Sequence, residues 1–383
     1  MKDTVLLMMR LLRFTINPNI DIGISEEIDV TTLEKLFAIS KKHDIAHLLG
    51  DTLDKNGLLP DNAEISKRFL RERDLAVYRY RQIQYEYARI CDTLSKASIP
   101  HIPLKGSVLR DYYPAPWMRT SCDIDIMIKP DDLERTISIL ESNLGYQYDS
   151  TGENDANLHS KSGVHLELRY NHSSVNTKSK DVLDGIWESV KDNTVYKRAV
   201  SDEMFYFYHI HHMAGHFAVG GCGVRFFLDL WIMNQRFKLD EQEKNRLLCN
   251  AGISEFAYAI EKTVEYWFAD GESNELIEEI ERYVFRSGIY GNVENRVAVQ
   301  TVKQGGKLKY LLQRIFLPYD QLKFLYPTLQ KRPMLYPFYV VKRWFRIFDR
   351  DTKRRAMLEL NETTRGDAEK QARVAELFKE LNI

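Results

Sequence analysis

The fold is decided by two nearby stretches, Pro103-Leu-Lys-Gly-Ser107 and Asp123-Ile-Asp-Ile-Met-Ile128. Side chains alternate between the two faces of a strand, so Asp123 and Asp125 are expected on one face and the isoleucines on the other. Two adjacent carboxylates repel each other in a half-buried site, and a bound divalent cation relieves that repulsion. Because oxygen ligands on a strand suit Mg²⁺, the second stretch predicts a magnesium site.

The first stretch reads as the end of a strand, a turn and the start of a helix. Gly106 and Ser107 stand at the turn, where backbone N–H groups and a hydroxyl are expected to be free to hold a phosphate. Lys105, directly before them, could neutralise phosphate charge. Both halves of a nucleotide and metal site are therefore predicted within one strand–helix–strand unit.

A third acidic position comes from the alternating stretch Val164-His-Leu-Glu-Leu-Arg-Tyr170. Its polar face carries His165, Glu167 and Arg169, and its other face is apolar. If this strand pairs beside the aspartate strand, Glu167 faces the same way as the two aspartates. Should Glu167 fail as the third carboxylate, Glu153 and Asp155 in the preceding predicted loop are the next candidates.

These elements resemble the nucleotidyltransferase superfamily of DNA polymerase β, in which Gly-Ser precedes Asp-x-Asp on the next strand. They are more closely similar to a bacterial family of uncharacterised nucleotidyltransferases that has Leu-Lys-Gly, Tyr-Pro, Arg and Asp-Ile-Asp in this order. The matching residues here are Leu104-Lys-Gly106, Tyr113-Pro114, Arg119 and Asp123-Ile-Asp125. The gap between Ser107 and Asp123 exceeds that of the minimal polymerase pattern and agrees with the closer family. One departure is Arg169, because the family has His at that place.

The resemblance, which covers residues 30 to 330, implies an α+β fold with a polymerase β-like nucleotidyltransferase core. This core is a small mixed sheet with helices, flanked by N-terminal and C-terminal helical regions. The predicted divisions are an N-terminal helical region, the core, a C-terminal helical domain, and a basic-aromatic helix with a charged tail, at 1–98, 99–200, 201–335 and 336–383.

The resemblance also implies a function: transfer of a nucleoside monophosphate from a nucleoside triphosphate (NTP), expected to be ATP, to an unknown hydroxyl acceptor, a small molecule or a protein. Two Mg²⁺ ions would support in-line displacement with release of pyrophosphate. The expected catalytic residues and metal ligands are Asp123, Asp125 and Glu167. The residues expected to hold the nucleotide are Lys105, Gly106, Ser107, Arg119, His212 and His216.

The two histidines belong to a predicted helix in which His209, His212 and His216 share one face. The resembling family has a His-rich helix followed by Arg and Asp, matched here by Arg225 and Asp229, so these residues could line the cleft. A network between helices is an equal alternative, and a metal-dependent hydrolase on the three histidines is a competing function. Another competing function is a catalytically silent module that binds nucleotides or proteins, which is favoured by Arg169 in place of the family's His.

Composition narrows the class of protein. A net charge of −1 argues against a polymerase bound to a nucleic-acid template. The four cysteines are widely spaced, which predicts neither disulfides nor a zinc site and fits the cytoplasm. No apolar run is long enough to span a membrane.

Most of the remaining sequence is predicted to be helical, with single helices over 1–16, 31–53, 63–98 and 130–143 and helices throughout from 202 onward. A short strand is predicted at 146–148. The basic and aromatic stretch 336–348 predicts either packing against the helical domain or weak contact with a membrane surface. The charged residues 351–383 predict a peripheral helix or a mobile tail.

Overall fold

A five-stranded mixed sheet forms the centre of the computed structural model, with strand order β1-β2-β5-β4-β3. The strands are β1 His101–Pro103, β2 Asp123–Ile128, β3 Gln147–Thr151, β4 Asp155–His159 and β5 His165–Arg169. The structure describes residues 2–24, 27–172, 176–288, 291, 293–303, 306–326, 328–345, 353–354, 357, 363 and 368–383. Apart from the β2–β5 pair, which is parallel, neighbouring strands are antiparallel.

The parallel pair brings the two acidic strands together. Asp125 lies opposite Glu167, and Asp123 lies opposite His165. Partners in register point to the same side of a sheet, so the three carboxylates share one face, as the alternating pattern predicted. The mixed sheet and its surrounding helices agree with the α+β class.

The opposite face of the sheet packs against two helices, α4 (Glu64–Lys96) and α6 (Leu133–Leu144). Alternate strand residues point into this core, which contains Ile124, Ile126, Ile128, Leu166 and Leu168. Both helices follow the sequence prediction. Helix α6 ends at Gly145, which adopts the left-handed conformation (φ 69°) that glycine tolerates without steric cost.

A second and larger core joins helices from both ends of the chain. It contains buried residues of α1 (Lys2–Ile16), α2 (Val30–Lys42) and α3 (Ala46–Lys55), together with residues of the helices after the sheet. Those later helices are α8 (Asp202–Ala218), α9 (Val224–Arg236), α10 (Glu241–Asn250), α11 (Ser254–Phe268) and α12 (Glu275–Ser287). Leu104 and Leu109 also belong to this core, so it anchors the turn that carries Lys105, Gly106 and Ser107. The four-part division of the chain stays a prediction.

The remaining helices are mostly short. They are α5 (Gly106–Leu109), α7 (Thr177–Asp184), α13 (Val293–Lys303), α14 (Lys307–Ile315), α15 (Tyr319–Leu325), α16 (Thr328–Lys331), α17 (Tyr336–Trp344) and α18 (Ala368–Glu380). Among the described residues, no helix combines the length and the apolar character that crossing a membrane requires. Of the predicted tail, the structure describes mainly α18; the predicted basic-aromatic stretch extends past residue 345 into residues outside the described part.

Two local predictions were wrong. The helix predicted over 31–53 is two helices, because the chain turns between α2 and α3 with Asp44 at φ 55°. The Asp44 carboxylate accepts hydrogen bonds there from Arg225 (2.6 Å) and Thr120 (3.1 Å), which hold the turn against the rest of the fold. The loop predicted around Asp155 is strand β4, which pairs with β5.

Candidate active site

Lys105 stands at the junction between β1 and α5 in an unusual backbone conformation. Its φ is 47°, a backbone angle that residues other than glycine adopt at a cost of about 1 to 3 kcal/mol. The amide of the preceding Leu104 donates to the carbonyl of Asp125 (3.1 Å), which ties the junction to β2. Lys105 Nζ donates a hydrogen bond of 2.6 Å to Asp125 Oδ1. The strained turn therefore places a cation directly on the second aspartate of the motif.

Asp125 is 3% exposed and is held by two cations. In addition to Lys105, Arg169 Nε donates to Oδ1 at 3.0 Å. Burial alone would raise the pKa of Asp125, but these two positive charges and their hydrogen bonds lower it to about 2. Asp125 is therefore ionised at any pH at which the protein is expected to work.

Asp123 lies in different surroundings, near the side chains of His165 and Glu167. One ligand atom from each of these three half-buried residues lies within 4.8 Å of the other two. Two carboxylate oxygens and an imidazole nitrogen at this spacing form a donor set that a divalent cation can bridge. Among the described residues, this is the group of three or more such side chains close enough to hold an ion.

The imidazole of His165 is oriented by its neighbours on β4. Its Nε2 is 2.9 Å from Asn157 Oδ1, and Asn157 Nδ2 donates to Asp155 Oδ1 at 3.2 Å. Because the carboxamide oxygen only accepts, Nε2 donates the proton in this hydrogen bond, which makes Nδ1 the ring nitrogen that could bind a cation. A second residue that fixes the ring in this way is typical of metal-binding histidines. The ring also stacks on His159, with 4.8 Å between ring centroids.

Glu167 connects the two sides of the site. Its carboxylate forms a short ion pair with Arg169 Nη2 while it faces Asp123 and His165. Burial raises the pKa of Glu167 above its ordinary value; Arg169 opposes this shift and the negative charge of Asp125 adds to it. A carboxylate with a raised pKa is better suited to accept a proton than an exposed one.

Ser107 is 5% exposed, and its buried hydroxyl has no hydrogen-bond partner within the described part of the chain. A buried hydroxyl without a partner costs free energy, so it marks a place where a ligand atom would be stabilised. The Ser107 amide already donates to the carbonyl of Leu104 (3.1 Å), which leaves the hydroxyl as the group for a phosphate. A side chain on Gly106 would meet Ser121 Cβ at 3.3 Å and Arg119 Nη1 at 3.5 Å.

Arg119 is placed in a buried ion pair. Its Nε donates to both oxygens of Asp229, at 2.7 and 3.0 Å, and Nη1 donates to the carbonyl of Thr120. The hydroxyl of Tyr113 donates to the same carboxylate at 2.7 Å. These contacts link the segment before β2 to α9 and account for the burial of Arg119; its phosphate contact stays a prediction.

The predicted histidine helix is α8, and its histidines have separate partners. His209 bonds the carbonyl of Phe226 through Nε2, whereas His212 and His216 lie with their Nε2 atoms 3.2 Å apart. Burial and the nearby charges of Lys105 and Arg225 lower the pKa of His216 to about 4, and burial with Lys105 lowers that of His212 well below its usual range. Both are therefore neutral near pH 7.

The three histidines do not form a group of ligand atoms able to share one ion among the described residues, which weakens the hydrolase alternative. His212 and His216 do come close enough to Lys105 and Arg169 for those charges to act on them. The histidine helix thus lies near the two basic residues that hold Asp125, and a role of His212 and His216 in lining the cleft stays a prediction.

Two residues near the site had no role assigned from the sequence. His165 was visible as the residue two positions before Glu167 on the same strand face. Tyr208, which is 7% exposed, stands one helical turn before His212 and lies near Lys105 and Arg169. Helical spacing of four residues was the signal that could have found it.

The sequence was also compared with known proteins. A family model described as uncharacterised nucleotidyltransferase matches residues 29–269, which is more than half of the chain and includes the whole sheet and helices α8 to α11. No curated protein is significantly similar. The match contains all the candidate site residues, and the chain belongs to this family of uncharacterised nucleotidyltransferases.

Proposed function

We propose that this protein transfers a nucleoside monophosphate from an NTP, with ATP as the first candidate, to a hydroxyl acceptor. The observation that supports this most directly is the grouping of Asp123, His165 and Glu167 on a sheet face whose other carboxylate, Asp125, is held by Lys105 and Arg169. Acidic groups for a cation and basic groups for phosphates thus adjoin each other. Phosphoryl chemistry of this kind needs mainly such positioned charges.

The donor set fits a divalent cation. Asp123, His165 and Glu167 would hold it, and a hard cation such as Mg²⁺ or the more nitrogen-tolerant Mn²⁺ suits two carboxylates and one imidazole. When bound, the cation would polarise the α-phosphate and lower the pKa of the acceptor hydroxyl. A second Mg²⁺, expected at Asp125, would have to compete with Lys105 and Arg169 for Oδ1.

The residues of the chain have separable roles in this proposal. Lys105 and Arg169 neutralise Asp125 in the free protein and can turn their charge toward the triphosphate, where the planar guanidinium can hold two oxygens. The Ser107 hydroxyl, which has no hydrogen-bond partner among the residues that the structure describes, donates to a phosphate oxygen. Glu167 accepts the proton of the acceptor hydroxyl. His212 and His216 are neutral and line the side of α8 nearest the two cations.

The proposal is tested by incubating the protein with each of the four α-labelled NTPs, a divalent cation and a cell extract. Transfer of the α-label to an extract component, with release of unlabelled pyrophosphate, is the expected result. Release of label only from a γ-labelled NTP, as inorganic phosphate, would indicate hydrolysis and contradict the proposal.

The cysteines, all of which lie in the described part of the chain, form no disulfide, so we also propose the cytoplasm, where these substrates are present, as the compartment.

One alternative function is favoured by a specific contact. Arg169 bonds both Asp125 and Glu167, so it occupies carboxylate oxygens that a cation would use. A module that binds nucleotides without reacting would show this arrangement too. Calorimetry that finds cation-dependent NTP binding, together with no transfer to any acceptor in the labelled extract, would favour the silent module.

A further inference from the structure

The segment 306–345 differs in charge from the rest of the protein. It contains eight Lys and Arg residues and one Asp, a net charge of +7, whereas the whole chain has a net charge of −1. The rest of the chain therefore carries −8. A charge separation of this size within one chain creates a local field that attracts anionic surfaces.

The same segment exposes large apolar side chains. It has its own small core of Leu322, Leu329 and Val340, distinct from the cores that hold the sheet and the main helices. On its outside, nine large hydrophobic side chains are exposed among the described residues, including the six that matter here: Ile315, Phe316, Met334, Phe338, Val341 and Trp344. Met334 is 94% exposed and Phe338 is 61% exposed, so these two contribute almost nothing to the fold.

These six side chains define what we name the α14/α17 face. Met334, Phe338 and Val341 follow at intervals of four and three residues along α17 and the turn before it, so they share one stripe. Trp344, one turn further, bonds the carbonyl of Ile315 through Nε1 (2.9 Å) and packs on Phe316 with ring centroids 5.7 Å apart. Val340 of the same helix points the other way, into the small core.

We propose that the α14/α17 face docks the protein on an anionic lipid surface. Basic residues such as Lys331, Arg332 and Lys342 adjoin the apolar stripe, and this combination is typical of segments that lie in the plane of a membrane interface. Aliphatic side chains such as Ile315 and Val341 gain by leaving water for lipid, whereas they would gain little on a nucleic acid. Self-association through this face would bring together two copies of the segment 306–345, each with a net charge of +7. This inference is independent of the proposed nucleotidyl transfer.

The test uses the full chain and sedimented vesicles. Vesicles of phosphatidylcholine and phosphatidylglycerol in equal parts should bind the wild type at low salt, with weaker binding as salt increases and on pure phosphatidylcholine. The double variant Met334→Ser/Phe338→Ser should raise the apparent Kd on anionic vesicles by about tenfold or more. Lys331→Glu/Arg332→Glu should raise it by at least a comparable factor through loss of attraction.

The matched control is Tyr258→Ser on α11, a side chain that is 63% exposed and outside the face; its Kd should stay within about twofold of wild type. Because all the substituted residues are exposed, folding is checked by an unchanged Tm. The proposal is overturned if the wild type does not bind anionic vesicles at low salt, or if both double variants bind as well as the control. It is equally overturned if light scattering shows a dimer that only Met334→Ser/Phe338→Ser dissociates, while vesicle binding stays unchanged.

Discussion

Asp123 and Asp125 are two residues apart on one strand face, yet the structure gives them opposite surroundings. Asp125 is buried and bonded to Lys105 and Arg169, with a pKa of about 2. Asp123 is half-buried and faces His165 and Glu167, with no cation among those neighbours. The comparison shows that the motif does not supply two equal metal ligands in the free protein. One aspartate holds the basic groups in place, and the other belongs to the group of three side chains that we propose as the cation site.

The largest expected effects come from removing each aspartate in turn. Asp123→Asn and Asp125→Asn should both abolish cation-dependent transfer, because each removes a charge on which the site depends. Only Asp125→Asn should also destabilise the fold, by about 3 kcal/mol or more, since it leaves Lys105 and Arg169 without their shared buried partner. Denaturant unfolding and a transfer assay measure the two effects, with exposed Asp149→Asn on β3 as control.

For Asp125→Asn, the expected loss of stability is opposite to the gain that the sequence alone would predict. Two adjacent carboxylates without partners would repel, so neutralising either would stabilise the protein without its cation. At Asp125 the expected change in stability has the opposite sign, because Lys105 and Arg169 already compensate the negative charge of this carboxylate. Equal unfolding free energies for Asp125→Asn and Asp123→Asn would contradict the difference drawn here between the two aspartates.

The next effect concerns Glu167, which pairs with Arg169 and also faces Asp123 and His165. Glu167→Gln should lower kcat by on the order of 10² while the Kd for NTP changes little, because a proton acceptor is needed in the transition state more than in the ground state. If Glu167 only pairs with Arg169, both quantities should stay near wild type. Exposed Glu134→Gln on α6 is the matched control. Full turnover in the Glu167→Gln variant would move attention to Glu153 and to Asp155, which lies 3.9 Å from Arg169.

A smaller effect concerns the pH dependence of stability, to which neutral His216 should contribute and ionised Asp125 should not. The pKa of His216 is lowered from 6.5 to about 4, so the unfolded state binds more protons between these values and stability falls as pH drops through this window. Asp125, with its pKa near 2, contributes no change there. The wild type should therefore lose stability from pH 7 to pH 5, and His216→Gln should lose about 2 kcal/mol less. Urea unfolding at both pH values measures this; equal losses would contradict the neutral state of His216.

The smallest effect tests the hydroxyl beside the site. Ser107→Ala should weaken NTP binding by about 1 to 2 kcal/mol, because one hydrogen bond to a phosphate is lost. Thr136 is a suitable control, since its buried hydroxyl on α6 also has no hydrogen-bond partner among the described residues but lies outside the site. Calorimetry should find no change in NTP affinity for Thr136→Val, and an unchanged affinity in Ser107→Ala would remove the hydroxyl from the nucleotide site.

The sequence predicted what depends on local periodicity. Alternation placed Glu167 on the face of Asp125, and helical spacing placed His212 and His216 together. It could not predict that Lys105 and Arg169 converge on one oxygen of Asp125, since this depends on how a strained turn and a neighbouring strand meet in space. Strand β4 was missed because Asp155-Ala-Asn-Leu-His159 lacks the β-branched residues typical of strands. The break at Asp44 has no Gly or Pro to mark it.

The claim that Asp123 belongs to the site of nucleotidyl transfer is tested most directly by comparing the wild type with Asp123→Asn, in which a carboxamide replaces the carboxylate. With the NTP and acceptor found in the labelled extract, wild-type protein should move the α-label to the acceptor and release pyrophosphate in equal amount, only when a divalent cation is present. Asp123→Asn, folded with wild-type stability, should transfer no label under the same conditions. Cation-dependent transfer at the wild-type rate by Asp123→Asn would contradict the assignment of this site.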